Sequence, residues 1–100
     1  MIKQICRIGE WGFIHTLSIG RDLSANFVSA EIHYKDPDGT VTSKTTDTND
    51  ASAGTFGWTA TSGFFDQEGI WEAMLEVNVG ASGVRKLEDP VVFRVGASGE

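Results

Sequence analysis

The chain has few of the residues that mark cross-linked or membrane-spanning proteins. Its 100 residues include one cysteine, Cys6, and two prolines. A single cysteine excludes an intrachain disulfide, and the Cys and His residues nowhere show metal-ligand spacing. No segment approaches the roughly 20 apolar residues of a membrane helix, and the N-terminus lacks the apolar stretch of a signal peptide. We therefore expect a protein made in a reducing cytoplasm, with no metal, no cofactor and no membrane partner.

Positive charge is also scarce. Eight Lys and Arg stand against 14 Asp and Glu, which gives a net charge of -6. The basic residues are scattered singly except for Arg85-Lys86, whereas proteins that bind nucleic acid gather them on one face to neutralise phosphates. The composition argues against DNA or RNA as a partner.

What the chain does have is alternation of apolar and polar residues. Residues 27–41 alternate up to a break at residues 36–39, and residues 69–79 alternate again. A period of two bounded by turn residues is typical of half-buried β-strands. The sequence predicts seven strands and no helix, at about 2–8, 12–19, 27–35, 40–46, 55–60, 69–79 and a last one that ends at Val95.

Several local features refine this prediction. The Thr-rich fourth strand suits a sheet edge, and residues 47–54 are predicted to be a polar loop. Turns are expected at residues 20–22 and 80–83, and a bulge or a change of pairing at Asp89-Pro90. Alternation assigns the following side chains to the core: Ile2, Cys6, Ile8, Phe13, His15, Leu17, Ile19, Val28, Ala30, Ile32, Tyr34, Phe56, Trp58, Ala60, Trp71, Ala73, Leu75, Val77, Val79, Val91, Phe93 and Val95.

Short strands at intervals of about ten residues predict an all-β fold, an immunoglobulin-like antiparallel β-sandwich without a disulfide. A small closed barrel is the competing fold. Residues 67–73 favour the sandwich because they resemble the immunoglobulin pattern of acidic residue, glycine, aromatic corner and cysteine, with Gln67, Trp71 and Ala73 as replacements. We expect one domain over residues 1–95 and a flexible tail over residues 96–100.

No residue pattern predicts a catalytic site. His15 falls on an apolar strand face, which favours a neutral, hydrogen-bonded imidazole at the rim of the sandwich. His33 lies on the polar face of its strand, where a solvated position or a subunit contact is expected. Neither histidine has a nucleophile placed beside it by a motif, and Cys6 is expected to be a small buried apolar residue.

The acidic residues allow alternatives of low specificity. Residues 36–39 (DPDG) share letters with the start of a calcium loop, but Pro second and Gly fourth are typical of a type I turn. Asp47, Asn49 and Asp50 form another oxygen-rich loop, for which weak calcium binding is the minor alternative to solvation. Asp66 and Glu68 give a carboxylate pair, although adjacency in a turn does not supply the separation that glycoside hydrolysis needs.

The aromatic residues separate into two groups. Phe56, Trp58, Trp71 and Phe93 occupy predicted core positions. Trp11, Phe64 and Phe65 lie near turns, where exposed rings often mark a contact surface; covering an edge and plugging the end of the sandwich are the alternative roles for Trp11 and Phe65. The candidate contact residues are Trp11, His33, Phe64 and Phe65.

Four segments together carry a resemblance to a protein family: residues 22–24 (DLS), 34–40 (YKDPDGT), 65–71 (FDQEGIW) and 91–95 (VVFRV). They are similar to small immunoglobulin-like phage proteins, including the N-terminal domain of phage baseplate upper proteins and stand-alone virion accessory proteins. Baseplate upper proteins continue into further domains that carry the receptor-binding protein, whereas the sequence here ends after the predicted sandwich. We therefore expect a stand-alone accessory subunit.

The resemblance implies a non-catalytic structural protein of a tailed phage particle, made in the host cytoplasm and located in the virion. Its partners would be other phage structural proteins in a symmetric assembly on the capsid, neck, tail or baseplate. The alternative is a glycan-binding or adhesion module at the host surface, with Trp11, Phe64 and Phe65 stacking on sugars and Asp47, Asn49 and Asp50 bonding hydroxyls. An enzyme is the poorest fit.

Overall fold

The computed structural model describes residues 2–20, 22–23, 27–80, 84–87 and 90–97, with backbone pairing alone for residues 84–87. Nine β-strands and no helix occur in these ranges. The strands are β1 (Lys3–Arg7), β2 (Ile14–Ser18), β3 (Phe27–Lys35), β4 (Val41–Thr45), β5 (Thr48–Asp50), β6 (Thr55–Thr59), β7 (Gly69–Val79), β8 (Val84–Leu87) and β9 (Val91–Gly96).

The strands form two sheets that pack as a sandwich. The larger sheet has the order β1-β9-β7-β3-β4, with β8 also paired to β7, and the smaller sheet has the order β2-β6-β5. All pairings are antiparallel except that of β1 with β9. The prediction of an all-β sandwich is confirmed, and β4 lies at a sheet edge as its Thr-rich sequence predicted.

The strand boundaries show where alternation is informative. The predicted third and sixth strands match β3 and β7 to the residue. The prediction of a loop over residues 47–54 is wrong in part, because β5 pairs with β6 there. Its three residues are all exposed and polar, so it carries no apolar periodicity that could identify it.

The predicted last strand is divided into β8 and β9, which both pair with β7. Leu87 lies opposite Glu76 and Val91 opposite Ala73. Three residues lie between Leu87 and Val91 but only two between their partners on β7, so the register with β7 differs by one residue between β8 and β9. Asp89 lies outside the described residues, as do Arg21 of the predicted turn, residues 81–83 and residues 98–100 of the predicted tail. Gly96 is not tail, because it belongs to β9 opposite Arg7.

The core lies between the sheets and consists mainly of the residues that alternation assigns to it. Three assignments are wrong, since Ile2, Val28 and Val91 are 47%, 63% and 46% exposed. For Val28 the cause is a register shift between Phe27 and Ser29 in the pairing of β3 with β7. A one-residue shift exchanges the faces of a strand, so Phe27 turns inward instead and stacks on Phe56 with 5.3 Å between ring centroids.

The turn between β3 and β4 is held by its first residue. The Asp36 Oδ1 atom accepts hydrogen bonds from the backbone N–H groups of Asp38 (3.0 Å) and Thr40 (2.9 Å). Gly39 has a φ of 93°, a conformation in which a side chain is strained. The DPDG segment is thus a turn whose carboxylate is bonded to its own backbone.

Candidate functional site

An aromatic cluster closes the end of the sandwich where β2 begins and β3 ends. Its central member is Phe65, which is 1% exposed. The following rings lie 4.9–6.5 Å from it between centroids: Phe13, His15, Tyr34, Trp58, Phe64, Trp71 and Phe93. Phe65 therefore plugs the sandwich end, and its assignment to a contact surface is corrected, because a buried ring offers no area to a partner.

Phe64 is only partly buried and lines a crevice at the same end. The crevice has a volume of about 250 Å³ and lies between the β3–β4 turn and the segment before β7. Its walls include Asp36, Thr40, Thr42, Phe64, Asp66 and Trp71. The Lys44 ammonium lies 5.1 Å from the Phe64 ring centroid, a cation–π geometry. The crevice combines aromatic rings with carboxylate and hydroxyl oxygens.

Trp11 lies at this end too, in the connection between β1 and β2. Its side chain is 63% exposed, whereas Trp58 and Trp71 are 5% and 3% exposed. With Ile5, Gly9, Glu10 and Phe13 it lines a second, shallow crevice. Trp11 and Phe64 thus lie at the same end of the molecule, and Phe65 packs against Phe64.

The fourth candidate, His33, precedes Tyr34 in β3 but lies on the outer face of the larger sheet. Its Nδ1 atom is 2.6 Å from the Ser43 Oγ atom, and its Nε2 atom is 2.8 Å from the Glu76 Oε1 atom. Glu76 is 6% exposed, so its carboxylate is held in a protected position. The three side chains come from β4, β3 and β7 and form a line of hydrogen bonds across the sheet.

The sequence analysis missed Ser43 and Glu76. Ser43 was accessible to prediction, because a turn that pairs Asp36 with Thr40 places His33 opposite Ser43. Glu76 was not, because the register of β3 with β7 pairs residues more than 35 positions apart in the chain. No short-range pattern reports that register.

The other histidine lies inside the sandwich rather than at its rim. The His15 Nδ1 atom and the Tyr34 hydroxyl are 2.7 Å apart, and this bond joins β2 of the smaller sheet to β3 of the larger. Burial lowers the pKa of His15 from 6.5 to about 4 and raises the pKa of Tyr34 above its ordinary value. Both groups are neutral near pH 7, as buried polar groups without a counter-charge must be.

The oxygen-rich loop residues are engaged in local hydrogen bonds. Asp47 accepts from the backbone N–H of Thr59 and from the hydroxyls of Thr59 and Thr48. Burial acts to raise the pKa of Asp47, but these bonds hold it below its usual range. Asn49 Oδ1 accepts from Thr46, and Asp50 accepts from Ser52 and Ala53. The described residues contain no group of three or more Cys, His, Asp or Glu that could hold a metal ion.

Two further candidates have separate environments. Burial, with the nearby Glu10 charge, raises the pKa of the Cys6 thiol to about 11, which disfavours the reactive thiolate. Glu68 pairs with Arg94 at 3.5 Å, whereas Asp66 lines the Phe64 crevice.

Comparisons with known proteins identify no relative: no protein-family model, curated protein or solved structure matches the chain. In the part of the chain that the structure describes, no helix is long and apolar enough to cross a membrane. The function must therefore be argued from the residues and their geometry.

Proposed function

We propose that the protein is an accessory structural subunit of a tailed phage particle, where it docks on a repeated lattice through the surfaces of its sandwich. The proposal begins from the resemblance of residues 22–24, 34–40, 65–71 and 91–95 to small phage proteins. On this proposal the protein is located in the virion, where it binds other phage structural proteins and catalyses no reaction as part of that role.

We also propose that the sandwich is immunoglobulin-like. Strands β2, β6 and β5 have the neighbours of strands B, E and D of that fold, and β9, β7, β3 and β4 have those of G, F, C and C′. The chain order of the strands agrees with this correspondence. It supports the resemblance to immunoglobulin-like phage proteins through topology rather than through short motifs.

The observation that carries the docking proposal is the exposure of Trp11. A tryptophan ring in water leaves a large apolar area unburied, and such rings are enriched at the centres of protein interfaces. The 63% exposure of Trp11, in a domain that buries its other two tryptophans, supports the proposal that this end of the sandwich is a contact surface. Symmetry would repeat the contact, so weak single contacts would add up to durable attachment.

The test is to count the chain in purified particles by quantitative mass spectrometry, against the capsid and tail-tube subunits. A fixed stoichiometry supports the proposal, and its ratio separates a head from a tail position. Complete absence from particles would overturn it.

A matched pair of variants then tests the surface. Trp11→Ala is expected to reduce co-sedimentation of the protein with particles that lack it. Val28→Ala, at an equally exposed residue near the other end of the sandwich, is expected to leave it unchanged. Equal effects of both variants would show that the Trp11 end is not the docking surface.

A glycan-binding module is the second candidate, and the Phe64 crevice favours it. Sugar sites combine an aromatic ring with oxygen atoms that bond hydroxyls, and here Thr40, Thr42 and Asp66 supply those atoms. These residues replace the predicted set of Asp47, Asn49 and Asp50, which bond within the chain instead. Saturable changes in tryptophan fluorescence with host polysaccharide, lost in Asp66→Ala, would favour this candidate; an unchanged spectrum across a polysaccharide panel would count against it.

A further inference from the structure

We propose that Ser43 is a nucleophile that accepts acyl groups from activated carboxylic esters, with His33 as its general base and Glu76 as the residue that positions His33. This activity goes beyond docking: it does not use Trp11, on which the docking proposal rests, and it gives His33 a chemical role in place of a contact role. It rests on the hydrogen-bonded line of Ser43, His33 and Glu76 across three strands. A hydroxyl, an imidazole and a carboxylate in that order are the arrangement that activates serine in hydrolases.

The direction of the hydrogen bonds follows from the chemistry of the groups. An ionised carboxylate only accepts, so when the imidazole is neutral and Glu76 is ionised, their bond places the imidazole proton on Nε2. Nδ1 then carries the lone pair and accepts from the Ser43 hydroxyl, 2.6 Å away. The lone pair that faces the serine is what general-base catalysis requires, although the two ring nitrogens are exchanged relative to the serine-hydrolase triad.

The sheet fixes the geometry of the pair. The backbone bonds Asp36 N–H to Thr40 C=O and Thr46 N–H to Ala30 C=O mark both ends of the β3–β4 ladder. Hydrogen-bonded and non-hydrogen-bonded residue pairs alternate between these ends. His33 and Ser43 therefore form a non-hydrogen-bonded pair, the kind in which opposite side chains lie closest. Because β4 is an edge strand, the N–H of Ser43 points to the open edge. It is thus a donor available to the oxygen of an incoming carbonyl group.

The reaction has two balanced steps. The Ser43 oxygen bonds to the acyl carbon, the bond from that carbon to the leaving oxygen breaks, and the serine proton passes through His33 to the leaving group. Water then attacks the acyl carbon, the bond to Ser43 breaks, and His33 carries the proton from water back to the serine oxygen. Ser43 is exposed on a sheet face, which suits a small acyl group on a good leaving group.

The protein supplies its own control for nucleophile reactivity. Ser29 lies on the same face of the same sheet, but its hydroxyl accepts from the Asn78 amide at 3.3 Å. An amide donor cannot take a proton from serine. Ser29 therefore lies on the same sheet face as Ser43 but has an amide in place of a base beside its hydroxyl. Reaction of Ser43 but not of Ser29 would isolate the effect of the imidazole.

The experiment is to treat the folded protein with 4-nitrophenyl acetate, record nitrophenol release, and locate the acetyl group by peptide mass spectrometry. We expect acetylation on Ser43 and not Ser29, lost in Ser43→Ala and slowed about 10²-fold in His33→Gln. Equal labelling of Ser43 and Ser29, or labelling of Ser43 at the wild-type rate in His33→Gln, would overturn the proposal. Acetylation of His33 itself in Ser43→Ala at the wild-type rate would also overturn it, because the imidazole would then be the nucleophile.

The role of Glu76 has its own measurement. Long-range proton–nitrogen NMR spectra of the wild-type protein are expected to show the proton of His33 on Nε2, and Glu76→Gln is expected to reduce that preference. Glu76→Asp, which keeps the carboxylate, should recover part of the acylation rate that Glu76→Gln loses, and circular dichroism checks that both variants are folded. A wild-type imidazole with its proton on Nδ1 contradicts the mechanism, because Nδ1 could not then accept from Ser43.

Discussion

The two histidines lie on opposite sides of the larger sheet, and they differ in burial and in hydrogen-bond partners. His15 lies between the sheets among aromatic rings, with the Tyr34 hydroxyl as its hydrogen-bond partner. His33 lies on the outer face, between a hydroxyl and a carboxylate. Burial suppresses the charge of the His15 imidazole, whereas on the outer face both ring nitrogens of His33 have hydrogen-bond partners.

This contrast extends to the regions around the two residues. The interior is held together by rings around Phe65, so its stability depends on shape and buried area. The outer face carries Lys35, Glu72 and Glu76, whose contacts are electrostatic. Substitutions should therefore cost most in the interior and least on the outer face, and the predictions that follow test that order.

The largest effect is expected at Phe65. Phe65→Ala removes the ring that the other aromatic residues surround, and large-to-small changes at such sites cost about 3–5 kcal/mol of unfolding free energy. Phe65→Leu, which keeps most of the volume, should cost clearly less. The measurement is urea unfolding, with Phe64→Ala at the half-buried neighbour as control; a larger loss in Phe64→Ala would show that the centre of the cluster has been misplaced.

Alternation along the sequence was enough to predict the sandwich and most of its core, because a strand with one buried face must alternate. It failed at Val28 and at β5 for different reasons. At Val28 a register shift reversed the faces, and in β5 neither face of the strand is buried. Both failures depend on pairing with distant residues, which local pattern does not encode.

The second prediction uses the pH dependence of stability. The pKa of His15 is about 4 in the folded protein and near 6.5 when exposed, so the unfolded state binds the proton more readily. The contribution of neutral His15 to the free energy of unfolding is therefore fully present above pH 6.5 and declines as the pH falls towards 4. On lowering the pH from 7.5 to 4.5, the free energy of unfolding should fall by about 2–3 kcal/mol through this group.

Urea unfolding at both pH values checks this prediction in the wild type and in His15→Gln. The difference between the two pH values should shrink in His15→Gln. It should persist in Tyr34→Phe, because burial rather than the hydroxyl lowers the pKa. An undiminished difference in His15→Gln would assign the acid sensitivity to other groups.

The candidate sites were less predictable than the fold. Trp11 could be predicted as exposed because it lies between glycine-containing turn segments, but Phe65 in a similar setting is the centre of the core. The sequence does not distinguish them, since the difference depends on which ring faces the gap between the sheets. Likewise, Ser43, His33 and Glu76 are distant along the chain and meet only when two strand registers are known.

A smaller effect is expected at Asp47, which joins the β4–β5 corner to β6. Asp47→Ala removes the acceptor for the Thr59 N–H and hydroxyl, and we expect a loss of about 1 kcal/mol near pH 7. Since hydrogen bonds hold the pKa of Asp47 below its usual range, its contribution is present above the unfolded pKa and is lost as pH falls through the folded one. Urea unfolding of the variant near pH 7 and in acid, with Asp38→Ala in the exposed turn as control, should show the deficit only near neutral pH.

The smallest effect is expected at Val28, which alternation assigns to the core and the register shift turns outward. Val28→Thr keeps the branched shape suited to a strand, and because 63% of the side chain is exposed the change should stay within about 0.5 kcal/mol. Val77→Thr, on the buried face of β7 with 0% exposure, places an added hydroxyl in the core and should cost several times more. Equal losses in the two variants would mean that Val28 is buried after all and that β3 pairs with β7 without the shift.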